Sequence, residues 1–363
     1  YGDAKNNIAW FASGKLYTYR DSLHTKTFLN GVSGNDEIIR YLDFEDNPQS
    51  INPASNYVYS SNNQPDTIAG ILYPGYYLPE DRGQRIEQLL KVKNDWTQED
   101  VQQMIFDVTS PVVPQVIANL VASLKTENFT TNEQEALQNL KDWNGEYKKE
   151  DNAPTIYNRF LYEFLEGTFK DELGESFSMF METPLMKKMI AVQAKKTVSV
   201  WFDDVTTEPE ETKLDIVQRS FINAISFLEN QLGDTVSLWS WSKVISAEHG
   251  HALAAGGETL RKIFNVGPFS IDGGNEVINN QLFTLNETGI YKVKAGPSTR
   301  RVIDFSNIEN SVSILPTGQS GNVFSKHYKD QAQKYLNGEF VKTMLNKDEI
   351  ERSKNVLIFK KKE

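Results

Sequence analysis

The spacing of apolar residues changes twice along this 363-residue chain, and these changes constrain its fold more than any single motif does. Residues 1–65 contain short strand-like runs, such as 7–12 and 57–59, separated by Gly and Asn clusters. From Asp81 onward, apolar residues recur at intervals of three and four, which is typical of amphipathic helices. Strand and turn patterns return after Gly257. This order predicts an α+β fold rather than alternating βαβ units, with a β-rich segment over 1–80, a mainly helical region over 81–255 and a β-rich return over 256–363. The two β-rich ends are expected to meet in one sheet.

The helical region is divided by recognisable start signals. Thr97 is a good N-cap, and Asp100 stands at the capping-box position three residues later. The other helices are predicted to begin at Asp81 and to cover 114–124, 132–140, 156–169, 185–194 and 213–232. Later strands are predicted over 277–279, 291–293 and 301–305, with a short final helix over 327–336.

Composition excludes several classes of protein. The chain has 38 Lys and Arg against 49 Asp and Glu, a net charge of −11, which argues against nucleic acid as a partner. Cysteine is absent, so disulfides, thiolate metal sites and a Cys nucleophile are excluded from this chain. No run of about eighteen apolar residues occurs, so no membrane span is predicted. The first residues lack the pattern of a signal peptide, and we expect the sequence to begin inside a larger protein.

A pair of adjacent amides, Asn62 and Asn63, follows the strand-like run at 57–59. An Asn amide held at such a position can donate a hydrogen bond to a developing negative charge. Arg82 follows, and a guanidinium can hold an amide through its fork of donors. Asn and Pro are also ordinary turn residues, so the residues alone favour a turn.

Motifs in a fixed order tie the whole chain to one family. Residues 1–10 (YGDAKNNIAW) resemble "YADxxGNIGY", and residues 52–65 (NPASNYVYSSNNQP) resemble "NPxSGYIxxxNNxP". The remaining matches are 82–90 with "YRxxRIxxLL", 140–145 with "LxxWDG", 296–304 with "GPSxRxVxD", 316–321 with "PTGQSG" and 327–331 with "HYxDQ". The chain therefore resembles the penicillin acylase (penicillin amidase) family of N-terminal nucleophile hydrolases, aligned with the C-terminal two-thirds of the β chain.

The resemblance implies a fold and a chemistry. The fold would be part of an αββα sandwich with a helical insertion. The family cleaves linear amides of penicillin or other N-acyl compounds, using the N-terminal Ser of an autoproteolysed β chain and its α-amine as base. Asn62 falls on the oxyanion-hole Asn, and Arg82 on the Arg that orients it. Glu276 falls in a Gly-rich turn near the nucleophile, where the family often carries an acidic residue.

The resemblance also implies what this chain lacks. Tyr1 cannot replace the nucleophile, so these 363 residues alone are predicted to be inactive. Partners would be the missing α chain, the N-terminal part of the β chain and a small acyl-amide substrate, in a periplasmic or secreted enzyme. Some members bind calcium, which could also bind in the full enzyme, but its carboxylate ligand cannot be placed between Pro65 and Arg82, so no metal or cofactor is predicted in this chain. The alternative is a non-catalytic binding or scaffold homologue that kept the fold.

The histidines allow two rival interpretations. A metal site could include His249 and His251 beside Glu248. A turn is favoured there, because a third ligand is lacking nearby. His327 could act as a general base, although a structural contact near the subunit core is favoured.

Overall fold

The computed structural model describes residues 1–20, 27–65, 75, 77–122, 124–353 and 356–361. Within them the helices are α1 Asp81–Leu90, α2 Gln98–Ile105, α3 Val113–Val121, α4 Thr131–Asp142, α5 Ala153–Leu173, α6 Phe177–Phe180, α7 Pro184–Lys195, α8 Lys213–Leu232, α9 Glu258–Phe264, α10 Ala332–Leu336 and α11 Lys347–Arg352. The strands are β1 Ala9–Phe11, β2 Tyr17–Thr18, β3 Arg40–Tyr41, β4 Gln49–Ile51, β5 Ile245–His249, β6 Val266–Phe269, β7 Tyr291–Val293, β8 Arg300–Val302, β9 Val312–Ile314 and β10 Val341–Lys342. The mixture of helix and sheet confirms the predicted α+β class. No helix in the described part of the chain is long and apolar enough to cross a membrane.

Capping explains why the helices begin where they do. Thr97 accepts a hydrogen bond from the Asp100 backbone N–H, and the Asp100 carboxylate accepts one from the Thr97 backbone at 2.8 Å. Thr212 caps α8 in the same reciprocal way, and α8 has the predicted bounds. The predicted helix over 327–336 is only partly correct, because α10 begins at Ala332 and α11 follows it.

Two predicted strands, 57–59 and 277–279, are wrong because left-handed residues turn the chain beside each of them. Asn56 and Asn62 flank the first segment with φ of 60° and 64°, and Glu276 precedes the second with φ of 59°. The second segment bonds to the helical region instead, since the Asn279 N–H donates to the Asp107 carbonyl at 2.9 Å.

The described strands form four small sheets rather than one shared sheet. Near the N-terminus β1 pairs with β4 and β2 with β3, all antiparallel. Later, β5 lies between antiparallel β6 and parallel β7, and β9 lies between β8 and β10. The expectation that both β-rich ends meet in one sheet is therefore wrong for these residues. Strand β5 falls inside the range 81–255, yet it pairs with strands that follow it.

The core is centred on α5, which is buried on nearly all of its faces and packs against α8. Phe160 of α5 meets Phe221 of α8 edge to face, with ring centroids 5.4 Å apart. The core extends to the loop that precedes Glu276, where the Trp241 indole N–H donates to the Gly273 carbonyl at 2.9 Å. A Cβ at Gly274 would lie 2.6 Å from the Tyr147 ring, so only glycine allows this close approach. The loop that carries Glu276 is thereby fixed against the helical core.

Candidate active site

The turn at Ser61–Asn63 presents the two amides differently. Asn62 has a left-handed backbone conformation, which Asn tolerates better than most residues, and its carbonyl accepts from the Leu78 N–H at 2.9 Å. The Asn63 side chain closes the turn, because its Oδ1 accepts from the Ser61 hydroxyl at 2.8 Å. A Cβ on Gly83 would lie 3.2 Å from that hydroxyl, so glycine lets α1 approach the turn closely. The Asn63 side chain therefore stabilises the turn, whereas the Asn62 side chain contacts α1.

Arg82, in the first turn of α1, holds the Asn62 side chain. Its Nη2 donates to the Asn62 Oδ1 and to the Ser61 carbonyl, each at 2.7 Å. Because a guanidinium can only donate, the oxygen of the amide must face Arg82. The Nδ2 group is consequently turned away, and it donates to none of the described residues. This arrangement suits an amide that offers N–H donors to another molecule.

Glu276 lies next to Arg82 although 194 positions separate them in the chain. Its side chain is buried, and Oε2 lies 3.9 Å from the Arg82 Nε. Neither atom has a hydrogen-bond partner among the described residues. The structure thus brings together Asn62, Arg82 and Glu276 from three separate segments of the chain.

Two charged residues at this site could not be assigned to it from the sequence. Lys187 on α7 donates from Nζ to the Glu276 Oε1 at 2.5 Å. Asp81, the first residue of α1, is buried and accepts from the Ser110 hydroxyl at 2.7 Å. The pKa of Asp81 is raised to about 6, mainly by burial and to a smaller extent by the negative charge of Glu276. Asp81 was visible in the sequence only as a helix start, and Lys187 had no feature that distinguished it from the adjacent Lys188.

A cavity of about 460 Å³ borders this charged group. Asp81, Lys187 and Glu276 line it together with apolar side chains of α3, α5 and α7 such as Val116, Leu161 and Ile190. A larger cavity of about 750 Å³ is lined by Arg300 and by none of Asn62, Arg82 and Glu276. The smaller cavity therefore meets the candidate site at Glu276, and neither Asn62 nor Arg82 lines it.

The histidines have local structural contacts. His251 Nδ1 accepts from the Leu253 N–H at 3.1 Å, and its ring stacks on Phe264 with centroids 5.1 Å apart. His327 lies 2.7 Å from Asp330 with its side chain more than half exposed, so the expected contact near the core is wrong. In the described part of the chain no group of three or more His, Asp or Glu could hold a metal ion. A calcium ligand would be expected between Pro65 and Arg82. Within that segment, residues 66–74 and 76 lie outside the described residues.

Comparisons with known proteins agree on one family. Acyl-homoserine lactone acylase QuiP of Pseudomonas aeruginosa is 25% identical over 94% of this chain and 43% of its own length. The QuiP protein of Pseudomonas fluorescens strain Pf0-1 is 26% identical over 94% and 42%. The chain thus spans less than half the length of these relatives.

A solved structure, the thermostable penicillin G acylase of Alcaligenes faecalis, is similar with a TM-score of 0.62 and 18% identity. The similarity covers all of this chain and 67% of that one. This likeness confirms the expected fold of N-terminal nucleophile hydrolases. The Penicillin amidase family matches residues 1–352, and the chain therefore belongs to that family.

Proposed function

We propose that this chain is the C-terminal β-chain portion of an amidohydrolase that cleaves linear amide bonds by acyl transfer. The observation that supports this most is the hydrogen bond from Arg82 to the Asn62 Oδ1 at 2.7 Å. It turns the Nδ2 group of Asn62 away from Arg82, and among the described residues this group donates to no acceptor. Family membership supports the reaction class, and the similarity to acyl-homoserine lactone acylases supports N-acyl compounds as substrates.

In the proposed reaction, a Ser at the start of the full β chain attacks the amide carbonyl. Its α-amine, with an ordinary pKa near 8, accepts the hydroxyl proton and passes it to the departing amine. The C–N bond breaks as the ester forms, and water then hydrolyses the ester to the free acid. We place this nucleophile in an upstream part of the β chain, outside these 363 residues.

Asn62 would act when the carbonyl oxygen becomes negatively charged. Its Nδ2–H then donates to that oxygen, and such a donor contributes roughly 3–4 kcal/mol to transition-state stabilisation. Arg82 keeps the amide oriented, so no reorganisation is needed during the reaction. Glu276 supplies the negative charge next to Arg82 and limits the net positive charge of the buried group.

The remaining features of the whole enzyme are also proposals. The substrates would be penicillins, N-acyl-homoserine lactones or other N-acyl amines, and the enzyme would be periplasmic or secreted after autoproteolysis. The α chain and the N-terminal part of the β chain would complete the site. We assign no residue of this chain to a calcium site, because no group of three or more His, Asp or Glu among the described residues could hold a metal ion.

The test uses the complete gene product and a chromogenic acyl-anilide. Asn62→Ala should lower kcat by roughly 10²–10³ while the thermal unfolding temperature changes little. Asn56→Ala is the matched control, because Asn56 is exposed and has the same left-handed backbone at φ 60°. Asn62→Gly removes the side chain without that backbone strain and should lose activity equally.

Wild-type turnover by Asn62→Ala would refute the role of Asn62. N-terminal sequencing of the processed β chain should find Ser, whereas a bulky residue there would favour a non-catalytic homologue. The chain of residues 1–363 alone should hydrolyse nothing, and hydrolysis by it would contradict the external nucleophile.

A further inference from the structure

The charged group beside Asn62 includes a cation from a distant helix. Lys187 and Glu276 are 89 positions apart, and both side chains are largely buried where they meet. Helix α7 is anchored just before this contact, since Thr183 caps its first turn and Met186 is buried. Lys187 therefore reaches Glu276 from a fixed backbone position.

Glu276 lies between two cations at unequal distances. Its Oε1 is 2.5 Å from the Lys187 Nζ, whereas its Oε2 is 3.9 Å from the Arg82 Nε. A buried carboxylate requires a close partner, because the desolvation of an unpaired charge is costly. Lys187 is that partner, and its presence allows Arg82 to stay at the longer distance.

The distance between Arg82 and Glu276 affects how Arg82 holds the Asn62 side chain. Arg82 uses Nη2 to hold both the Asn62 Oδ1 and the Ser61 carbonyl. Without Lys187, Glu276 would depend on Arg82 alone, and a shorter contact between them would draw the guanidinium away from those two acceptors. The amide of Asn62 would then lose its fixed orientation.

We infer that Lys187 is a positioning residue for the oxyanion donor, acting through Glu276 and Arg82. This inference rests on the proposed function of Asn62 and adds a residue of the helical region to the site. It explains why a lysine on an amphipathic helix is buried against a carboxylate near the candidate donor.

The experiment measures kcat and KM of the complete gene product with a chromogenic acyl-anilide. Lys187→Met should lower kcat by about tenfold with KM within about twofold, since an ångström of misplacement costs up to about 10²-fold. Lys187→Arg restores the charge and should recover most of kcat. Lys195→Met is the matched control, because Lys195 is exposed on the same helix and should leave kcat unchanged.

A double-mutant cycle separates positioning from packing. If Lys187 acts through Glu276, adding Lys187→Met to Glu276→Gln should reduce kcat by less than about twofold beyond Glu276→Gln alone. The double variant also removes both buried charges, so it keeps the comparison possible if Lys187→Met alone fails to fold. If the losses of kcat in Lys187→Met and Glu276→Gln multiply in the double variant, the inference is wrong. It is also wrong if Lys187→Arg does not recover kcat.

The failure of this inference can be told from the failure of the proposed function. If Asn62→Ala loses activity and Lys187→Met does not, only the positioning role is wrong. If Asn62→Ala keeps wild-type turnover, the oxyanion role itself is wrong.

Discussion

Arg82 is partly buried and Arg300 is buried, and the two guanidinium groups have different surroundings. Arg300 lies between two aromatic rings, with its Cζ 4.1 Å from the Phe106 centroid and 3.7 Å from the Tyr335 centroid. It donates to the Tyr335 carbonyl at 3.1 Å and to the Asn279 Oδ1 at 2.7 Å. Among the described residues no carboxylate forms an ion pair with it, and burial lowers the pKa of Arg300 to about 10.

Arg82 instead holds the Asn62 amide, whose Nδ2 group donates to none of the described residues, and the Glu276 carboxylate lies beside it. The difference suggests a division of roles. Arg300 joins β8 to the end of α2 and to α10, so its interactions stabilise the fold. Both arginines lie at or beside a cavity, so the difference is in the groups they hold: Arg82 holds the Asn62 amide and lies beside Glu276. A buried cation is thus informative about function only through the groups that it holds.

The largest expected effect comes from removing Arg82. Arg82→Leu should lower kcat by roughly 10²–10³, because an unheld Asn62 amide no longer meets the oxyanion in a fixed orientation. Steady-state kinetics of the complete gene product check this, with Arg300→Lys as the matched control. Equal losses of kcat in both variants, at equal thermal stability, would contradict the difference in role between Arg82 and Arg300.

Asp81, adjacent to Arg82, should make stability depend on pH. Its pKa is raised to about 6 from the model-peptide value of 3.8, so the folded state holds the proton more tightly than the unfolded state does. The associated stability is fully present below about pH 4 and is lost as pH rises through about 6. About two pK units at 1.36 kcal/mol each correspond to about 3 kcal/mol.

Asp81→Asn should therefore stabilise the protein at pH 7 by about 2–3 kcal/mol and have little effect at pH 4. Chemical denaturation at both pH values measures this difference. The same gain at pH 4 as at pH 7 would show that the carboxylate charge is not the cause.

Removing Arg300 should affect stability rather than catalysis. Arg300→Met fills the space between the rings but removes the side-chain donor to the Tyr335 carbonyl, which keeps only backbone donors such as the Gly338 N–H at 3.5 Å, at a cost of about 2 kcal/mol. Asn279 Oδ1 loses less, because Gln281 also donates to it at 3.2 Å. Denaturation curves measure the loss, and kcat should stay within about twofold of wild type. A much larger fall in kcat than in stability would assign Arg300 to the active site.

The smallest effect on stability is expected at an exposed ion pair, which provides a baseline for Arg82 and Arg300. Lys170 contacts Glu166 at 2.7 Å on the surface of α5. Lys170→Met should change the free energy of unfolding by less than about 0.5 kcal/mol. A change as large as that of Arg300→Met would mean that burial does not distinguish these charges.

The sequence predicts parts of this molecule whose signals are local. The capping box at Thr97 and the apolar spacing of 213–232 predict α2 and α8 because caps and periodicity act within a few residues. The strands at 57–59 and 277–279 could not be rejected from sequence, because the left-handed backbone of Glu276 is set by tertiary packing.

The site shows the same limit. Asn62, Arg82 and Glu276 were found through the order of family motifs, and the structure brings them together. Lys187 could not be found, because its partner is 89 positions away and an adjacent lysine occupies the same helix. A contact between distant segments leaves no local pattern in a single sequence.

The pairing of Asn62 with Arg82 is tested most directly by a double-mutant cycle on kcat in the complete gene product. If Arg82 acts by orienting the Asn62 amide, then Asn62→Ala combined with Arg82→Leu should be no more than about twofold slower than Asn62→Ala alone. If the two losses multiply, Arg82 acts independently of Asn62, and the pairing is not the basis of an oxyanion site.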